Sequence, residues 1–248
     1  MAASTDGGDL TRHPRPNVAI DVAVLTALPN RPADDEPGDL LVLVIEGVTE
    51  PGWVLPGRFL RKDQSVESCV EQSLDRKAGL RDIGKKPRLL RVFDDPKRDK
   101  RGWTLSIGHS VGLPHDVAAS GNGRLARVDG NGKVPRSIRL LFDHDRIVEE
   151  AVADMRRRYE ILPDPDGLLT GPFTMTDLRL VHEAVLGERL QRDSFKRRMV
   201  NSLRPVLKRD GSAVTRSDGG RPTPLFTHGD PEDSPQTRRR LRLPRLAT

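Results

Sequence analysis

The sequence is poor in the features that mark several functional classes. Cysteine occurs once, at Cys69, which excludes a disulfide framework and a Cys-rich zinc site and fits a reducing, cytoplasmic setting. No run approaches the roughly 20 consecutive apolar residues of a membrane helix, so a spanning protein is not expected. The opening MAASTDGGDLTRHPRP holds no apolar h-region of a secretory signal. His109, His115, His144 and His182 stand singly, without a His-x-x-x-His pair, so neither a metal site nor a bound cofactor is expected. No Gly-x-Ser-x-Gly elbow and no Gly-rich phosphate loop before Lys-Ser/Thr is found, which removes two common catalytic frameworks.

Positive charge is what the chain has in excess. Lys and Arg number 42 against 36 Asp and Glu, a net charge of +6, and the pI is about 9.8. A basic protein without a membrane segment is a candidate for binding nucleic acid. The 248 residues, 35% of them hydrophobic, suffice for one large domain or two small ones.

Residues 1–16, 118–135 and 228–248 combine low hydrophobicity with turn-forming residues and are expected to be loop-like or disordered. Between them, NVAIDVAVLTAL and DLLVLVIEGV read as strands, as do RLLRVFDD and the alternating WTLSIGHSVGL. A helix is expected at about 65–78, with Val66, Cys69, Val70 and Leu74 at helical spacing, Ser65 as N-cap and Gly79 as stop. DHDRIVEEAVADMRRRYE is an amphipathic helix whose stripe is Ile147, Val148, Ala151, Val152, Met155 and Tyr159. Past the Pro-rich LPDPDGLLTGP, two short helices are expected at about 175–186 and 193–203. A Thr174/Asp177 capping box starts the first and Asp193 caps the second. Two strand-like pieces around a Gly-rich turn follow. Helix, turn, helix and β-ribbon is the order of a winged helix-turn-helix.

The segment LPGRFLRKDQSVESCVEQSLDRKAGL aligns without a gap on the Nudix box, matching at Leu55-Pro56-Gly57, Leu74, Gly79 and Leu80. The glutamates that hold a divalent metal in that family are absent. Gln64 replaces the loop acid, Gln72-Ser73 the Arg-Glu pair, and Arg76-Lys77 the Glu-Glu pair. Glu67, Glu71 and Asp75, at i, i+4 and i+8, fall on roughly the opposite helix face from Ser73, Arg76 and Lys77 and read as a solvated face. Cations where a metal should sit repel it and attract phosphate.

Downstream, FDDPKRDKRGWTLSIGHSV, LLFDHDRIVEEA, PFTMTDLRLVHEAVLGERLQRDSFKRRM and GGRPTPLF follow in the order seen in the Nudix-related transcriptional regulators, and the chain resembles that family over about residues 17–227. The resemblance implies an α+β protein: a Nudix-like α/β/α sandwich over 17–160, including a connecting helix, then a winged helix-turn-helix over 161–227. It implies a repressor of NAD-cofactor genes that binds double-stranded DNA as a homodimer on a palindromic operator and is released by ADP-ribose or a similar nucleotide. The ligand is expected at Arg58, Arg76, Arg98, Asp99 and Arg101, with no catalytic residue. DNA contacts are expected from Gln191, Arg192, Ser194, Lys196 and Arg197 near the second helix's N-terminus, with Phe195, Met199 and Leu203 packed inward. Arg198, Arg204 and Arg221 are expected at phosphates or the wing, with Arg189 and Arg216 adding to the basic surface. The alternative reading is an active Nudix hydrolase of nucleoside diphosphate derivatives.

Overall fold

The computed structural model describes residues 13–30, 36–217 and 221–229. The expectations for 1–12, for the Gly219-Gly220 turn and for 230–248 fall outside them. Strand β1 (Asn17–Leu28) is buried continuously from residue 19 to residue 27. It pairs antiparallel with β2 (Asp39–Glu46) and β4 (Gly57–Phe59), and parallel with β6 (Thr104–Gly112). β3 (Trp53–Val54) and β7 (Arg124–Val128) pair with β2, and β5 (Arg88–Phe93) lies at the far edge beside β6.

Successive side chains of a strand point to opposite faces. Ile20, Val22 and Val24 pack on Cys69, Val70, Leu74 and Ala78 of helix α1 (Val66–Ala78). Ala23, Leu25 and Ala27 share a cluster with Ile147, Val148, Ala151, Val152, Met155 and Tyr159 of α3 (His144–Tyr159), the stripe expected from the periodicity. Helices on both faces bury both sets, which is why β1 and β2 read as nearly continuous apolar runs. The α/β/α sandwich is present. α1 keeps its expected ends: Ser65 Oγ accepts from the Ser68 N–H at 3.2 Å, and Gly79 takes the left-handed φ of 68° that closes the helix.

The expectation of a loop over 118–135 is corrected by the structure. α2 (His115–Ala119) enters the segment and β7 occupies residues 124–128, with Ala126 and Val128 buried against the sheet. RLARV alternates as a half-buried strand should, but glycines and an asparagine crowd both of its ends. A Cβ at Gly123 would sit 2.5 Å from the Val44 carbonyl oxygen, so that glycine serves a close strand approach rather than mobility.

The second unit contains β8 (Phe173–Thr174), α4 (Met175–Leu186), α5 (Arg192–Met199), β9 (Leu203–Pro205), β10 (Thr215–Arg216) and β11 (Thr223–His228). β11 pairs with β8, β9 and β10. The Thr174/Asp177 capping box forms as expected. The second helix is shorter than expected: it ends at Met199, residues 200–202 make one 3-10 turn, and Leu203 opens β9. Leu203 pairs instead with His228 of β11, and Pro205 keeps Arg204 extended beside it. Its N-cap is Gln191 rather than Asp193, with Gln191 Oε1 accepting from the Ser194 N–H at 2.6 Å. Phe195, Met199 and Leu203 point inward, as expected, onto Phe173 and Leu178. Among the described residues no helix is long and apolar enough to cross a membrane.

The Pro-rich segment between the units is pinned. Asp164, at 3% exposure and a left-handed φ of 47°, accepts hydrogen bonds from Tyr159 Oη at 2.7 Å and from the N–H groups of Leu168 and Leu169 at 2.7 and 2.9 Å. His228 Nε2 of β11 lies 3.0 Å from the same carboxylate. Val181, Ala184 and Val185 of α4 join the α3 side of the sandwich core. Asp164→Ala leaves a phenol and two backbone donors without their acceptor and is expected to cost about 3 kcal/mol or more in urea denaturation.

His182 of α4 is fully buried between Tyr159 and Phe195, at ring-centroid distances of 4.9 and 5.0 Å. Burial lowers its pKa from 6.5 to about 4. The unfolded chain therefore takes up this proton first, so the stability His182 contributes is complete above about pH 6.5 and is lost as pH falls toward 4, by about 3 kcal/mol. His182→Phe should remove that share of the acid slope when unfolding free energies at pH 7 and pH 5 are compared.

Candidate functional site

A cavity of about 560 Å³ brings together residues far apart in sequence: Asp21 of β1, Arg58 and Phe59 of β4, Arg76 and Lys77 of α1, the turn before β6, and the start of α3. All the residues expected to meet a ligand, Arg58, Arg76, Arg98, Asp99 and Arg101, line it.

The deep side is a buried polar network. Asp21 accepts from Ser106 Oγ at 2.6 Å and lies 3.5 Å from both His144 Nε2 and Arg98 Nη2. Burial pushes the Asp21 carboxyl up, but His144, Ser106 and Arg98 together outweigh it and hold the pKa below the ordinary value. His144 Nδ1 accepts from the Leu55 N–H at 2.9 Å, which leaves the ring proton on Nε2, facing Asp21. Arg98 Nε and Nη2 donate to Asp143 at 3.0 and 2.7 Å. Gly57 is required beside this network, because a Cβ there would lie 2.1 Å from Asp21 Oδ1.

Arg101 forms the rim. Its Nε and Nη2 donate to Asp99 at 2.9 and 2.7 Å, and its guanidinium lies 4.9 Å from the Phe142 ring centre. The Arg101 hydrogen bond holds the Asp99 carboxyl below its usual pKa, against burial. Phe142 itself has a left-handed φ of 58°, uncommon for an aromatic residue. Arg98 and Arg101 are thus already paired with carboxylates. Arg58 Nη1 donates to the Gln72 amide oxygen at 2.8 Å, and among the described residues it has no carboxylate partner.

The donor set does not fit a divalent metal. Among the described residues no three His, Cys, Asp or Glu side chains group to hold one. Arg76 and Lys77 face the cavity where a Nudix enzyme carries carboxylates. Glu67, Glu71 and Asp75 line a different cavity, where Glu67 pairs with Lys86 at 2.8 Å and Asp75 with Arg81 at 2.5 Å. Sequence reasoning did not single out Asp21, Phe59, Phe142 or His144. Asp21 had a readable signal, being the one charged residue in the apolar run NVAIDVAVLTAL.

The second surface is α5. Arg192, Ser194, Lys196, Arg197 and Arg198 are exposed on it, while Phe195 and Met199 are buried. Arg204 on β9 and Arg221 before β11 are exposed as well. Gln191 occupies the N-cap, so its amide oxygen serves the helix. Other basic residues belong to the architecture. Arg216 Nη2 donates to Asp177 at 2.7 Å, and Arg179 and Arg189 both pair with Glu183, which is wholly buried. Glu183 also accepts from the Leu190 N–H at 2.9 Å, fixing the turn that aims α5.

Residues 167–227 match the protein-family model described as the NrtR DNA-binding winged helix domain. The chain is 26% identical over 226 residues, 86% of its own length and 82% of the relative's, to the ADPR responsive transcriptional repressor NtrR of Acinetobacter baylyi. The C-terminal unit is thus similar to a DNA-binding winged helix, and the chain over most of its length to a transcriptional repressor. Among solved structures, the chain is similar to Shewanella oneidensis NrtR complexed with a 27mer DNA, with a TM-score of 0.63, 24% identity, and coverage of 87% of this chain and 94% of that one. It is also similar to a MutT/nudix family protein from Enterococcus faecalis, with a TM-score of 0.64, 19% identity and 89% of each chain covered. These two likenesses concern the fold. A shorter match, 29% identical over 99 residues, 40% of this chain and 56% of the relative's, is to an ADP-ribose pyrophosphatase of Methanocaldococcus jannaschii.

Gln191→Ala should remove the α5 cap and lower stability by about 1 kcal/mol, whereas Gln191→Asn should retain most of it. Urea unfolding of the two variants checks this.

Proposed function

We propose that the protein is a cytoplasmic DNA-binding transcriptional repressor whose Nudix-like unit senses ADP-ribose or a related phosphorylated nucleotide and does not hydrolyse it. The observation that carries this reading is the pairing of two surfaces on one chain. One is a cavity whose α1 wall carries Arg76 and Lys77 in place of metal ligands. The other is an exposed basic helix in a unit that matches a DNA-binding winged helix. The names of the relatives support the same reading, and genes of NAD-cofactor metabolism are the targets it implies. The protein acts as a homodimer on a palindrome, each copy placing one α5 in a major groove about one helical turn from the other.

Arg192, Ser194 and Lys196, near the N-terminus of α5, read base edges, while Arg197, Arg198, Arg204 and Arg221 meet phosphates or the groove beside the wing. Signal passes along α3. Its first residue, His144, lies in the cavity floor, and Tyr159 at its far end holds Asp164 and packs beside α4. At 1.5 Å per residue the 16-residue helix spans about 24 Å. A ligand that favours the DNA-free arrangement over the bound one releases the operator by that differential affinity.

Two measurements test this. In fluorescence anisotropy on operator and scrambled duplex, Arg192→Ala and Lys196→Ala should lose about 1–3 kcal/mol on the operator and much less on scrambled DNA. Arg198→Ala should weaken both duplexes alike and reduce the salt slope by about one contact. Parent-like operator binding by all three would remove α5 as the reader. Separately, the protein with ADP-ribose and excess Mg²⁺ or Mn²⁺ should show no turnover above a no-enzyme control. Turnover abolished by Glu67→Gln or Glu71→Gln would favour the hydrolase reading instead.

A further inference from the structure

The cavity holds more positive charge than a nucleoside diphosphate sugar can balance. Arg98 is paired with Asp143 and Asp21, and Arg101 with Asp99. Arg58, Arg61, Arg76 and Lys77 also line the cavity, and among the described residues none of these has a carboxylate within 4.0 Å. A diphosphate diester brings two negative charges to these cations. A divalent metal, the usual companion of a diphosphate, would add to the excess rather than relieve it.

The surplus has a place to act. A second cavity, of about 590 Å³, shares Arg61 and Arg76 with the first. Ser65, Ser68, Gln64 and Gln72 line it too, and its charged pair Lys62 and Asp63 offset each other in sign. To these hydroxyls and amides the walls add two guanidinium groups, a net positive lining whose donors suit phosphate oxygens. Arg58 and Lys77 remain on the first cavity alone, beside the Phe59 and Phe142 rings. A diphosphate held by Arg58 and Lys77 therefore leaves Arg61 and Arg76 facing the second cavity.

We propose that the effector is a nucleoside diphosphate sugar bearing an additional phosphomonoester, which Arg61 and Arg76 bind where the two cavities meet. This rests on the cavity being the nucleotide-sugar site argued above. It goes further in making ADP-ribose itself the weaker member of the ligand class, and it assigns a role to Arg61.

Calorimetry on the full chain in EDTA tests it with three ligands. They are ADP-ribose, ADP-ribose phosphorylated on the adenosine 2′-hydroxyl, and ADP-ribose phosphorylated on the terminal ribose. At least one phosphorylated ligand should bind about tenfold or more tightly than ADP-ribose, the scale of one charge-assisted arginine–phosphate contact, with a steeper loss of affinity in salt. Arg61→Gln should bring that preference down to about twofold or less, because it removes a contact only the extra phosphate makes. Lys62→Gln, which lines only the second cavity, should change the preference less than Arg61→Gln does. If ADP-ribose binds as tightly as both phosphorylated ligands, or if Arg61→Gln weakens all three equally, the inference is overturned and the sensing reading stands. If none of the three binds, both fall.

Discussion

Helix α3 is the element on which the rest of the molecule depends, because one helix does three things along its length. Its apolar stripe, from Ile147 to Tyr159, is almost completely buried against the sheet. At about 1.5–3 kcal/mol for each large side chain removed from water, that stripe is a major share of what holds the sandwich together. Its first turn supplies His144 to the cavity floor, next to Asp143, the partner of Arg98. Its last turn supplies Tyr159 to Asp164. α3 thus touches both the cavity floor and the segment leading to α4 within one close-packed core.

The electrostatics of the cavity divide into an inner and an outer set. The inner set, Asp21, Arg98, Asp143 and His144, is buried and mutually satisfied. Breaking any buried partner leaves an uncompensated charge or polar atom, so the network confers a defined geometry more than net stability. The outer set, Arg58, Arg61, Arg76 and Lys77, has no carboxylate partner among the described residues and is more exposed. The outer set is the one the proposed anion site uses. Charge count alone does not separate the two sets; burial and partnership do.

The winged unit shows the same division. Of the basic residues clustered between α4 and β10, Arg189 and Arg216 are consumed by Glu183 and Asp177, which shape the turn and the cap around α4. Arg192, Lys196, Arg197 and Arg198 are held outward by the burial of Phe195 and Met199 on the other side of α5. The carboxylates that fix the helix-turn-helix geometry thus also decide which cations remain at the surface.

Periodicity made much of this legible in the sequence. The alternation of β1, the stripe of α3, the caps of α1 and α4, and the inward Phe195 and Met199 follow from local sterics and apolar spacing, which a sequence states directly. The ordered motifs likewise pointed to the two units and to the arginines expected at a ligand, all of which line one cavity. Tertiary structure decided what local pattern does not encode. β7 emerged from a Gly-flanked segment only because β2 offers it a pairing edge. The helix expected to run to 203 stopped at 199, where Leu203 gains strand pairing with β11. Asp21 became a site residue because parallel pairing of β1 with β6 brings Ser106 to it, while the start of α3 brings His144 from 123 positions away in sequence. Which arginines are free is a question about neighbours distant in the chain. The sequence names the charges, and only the fold pairs them.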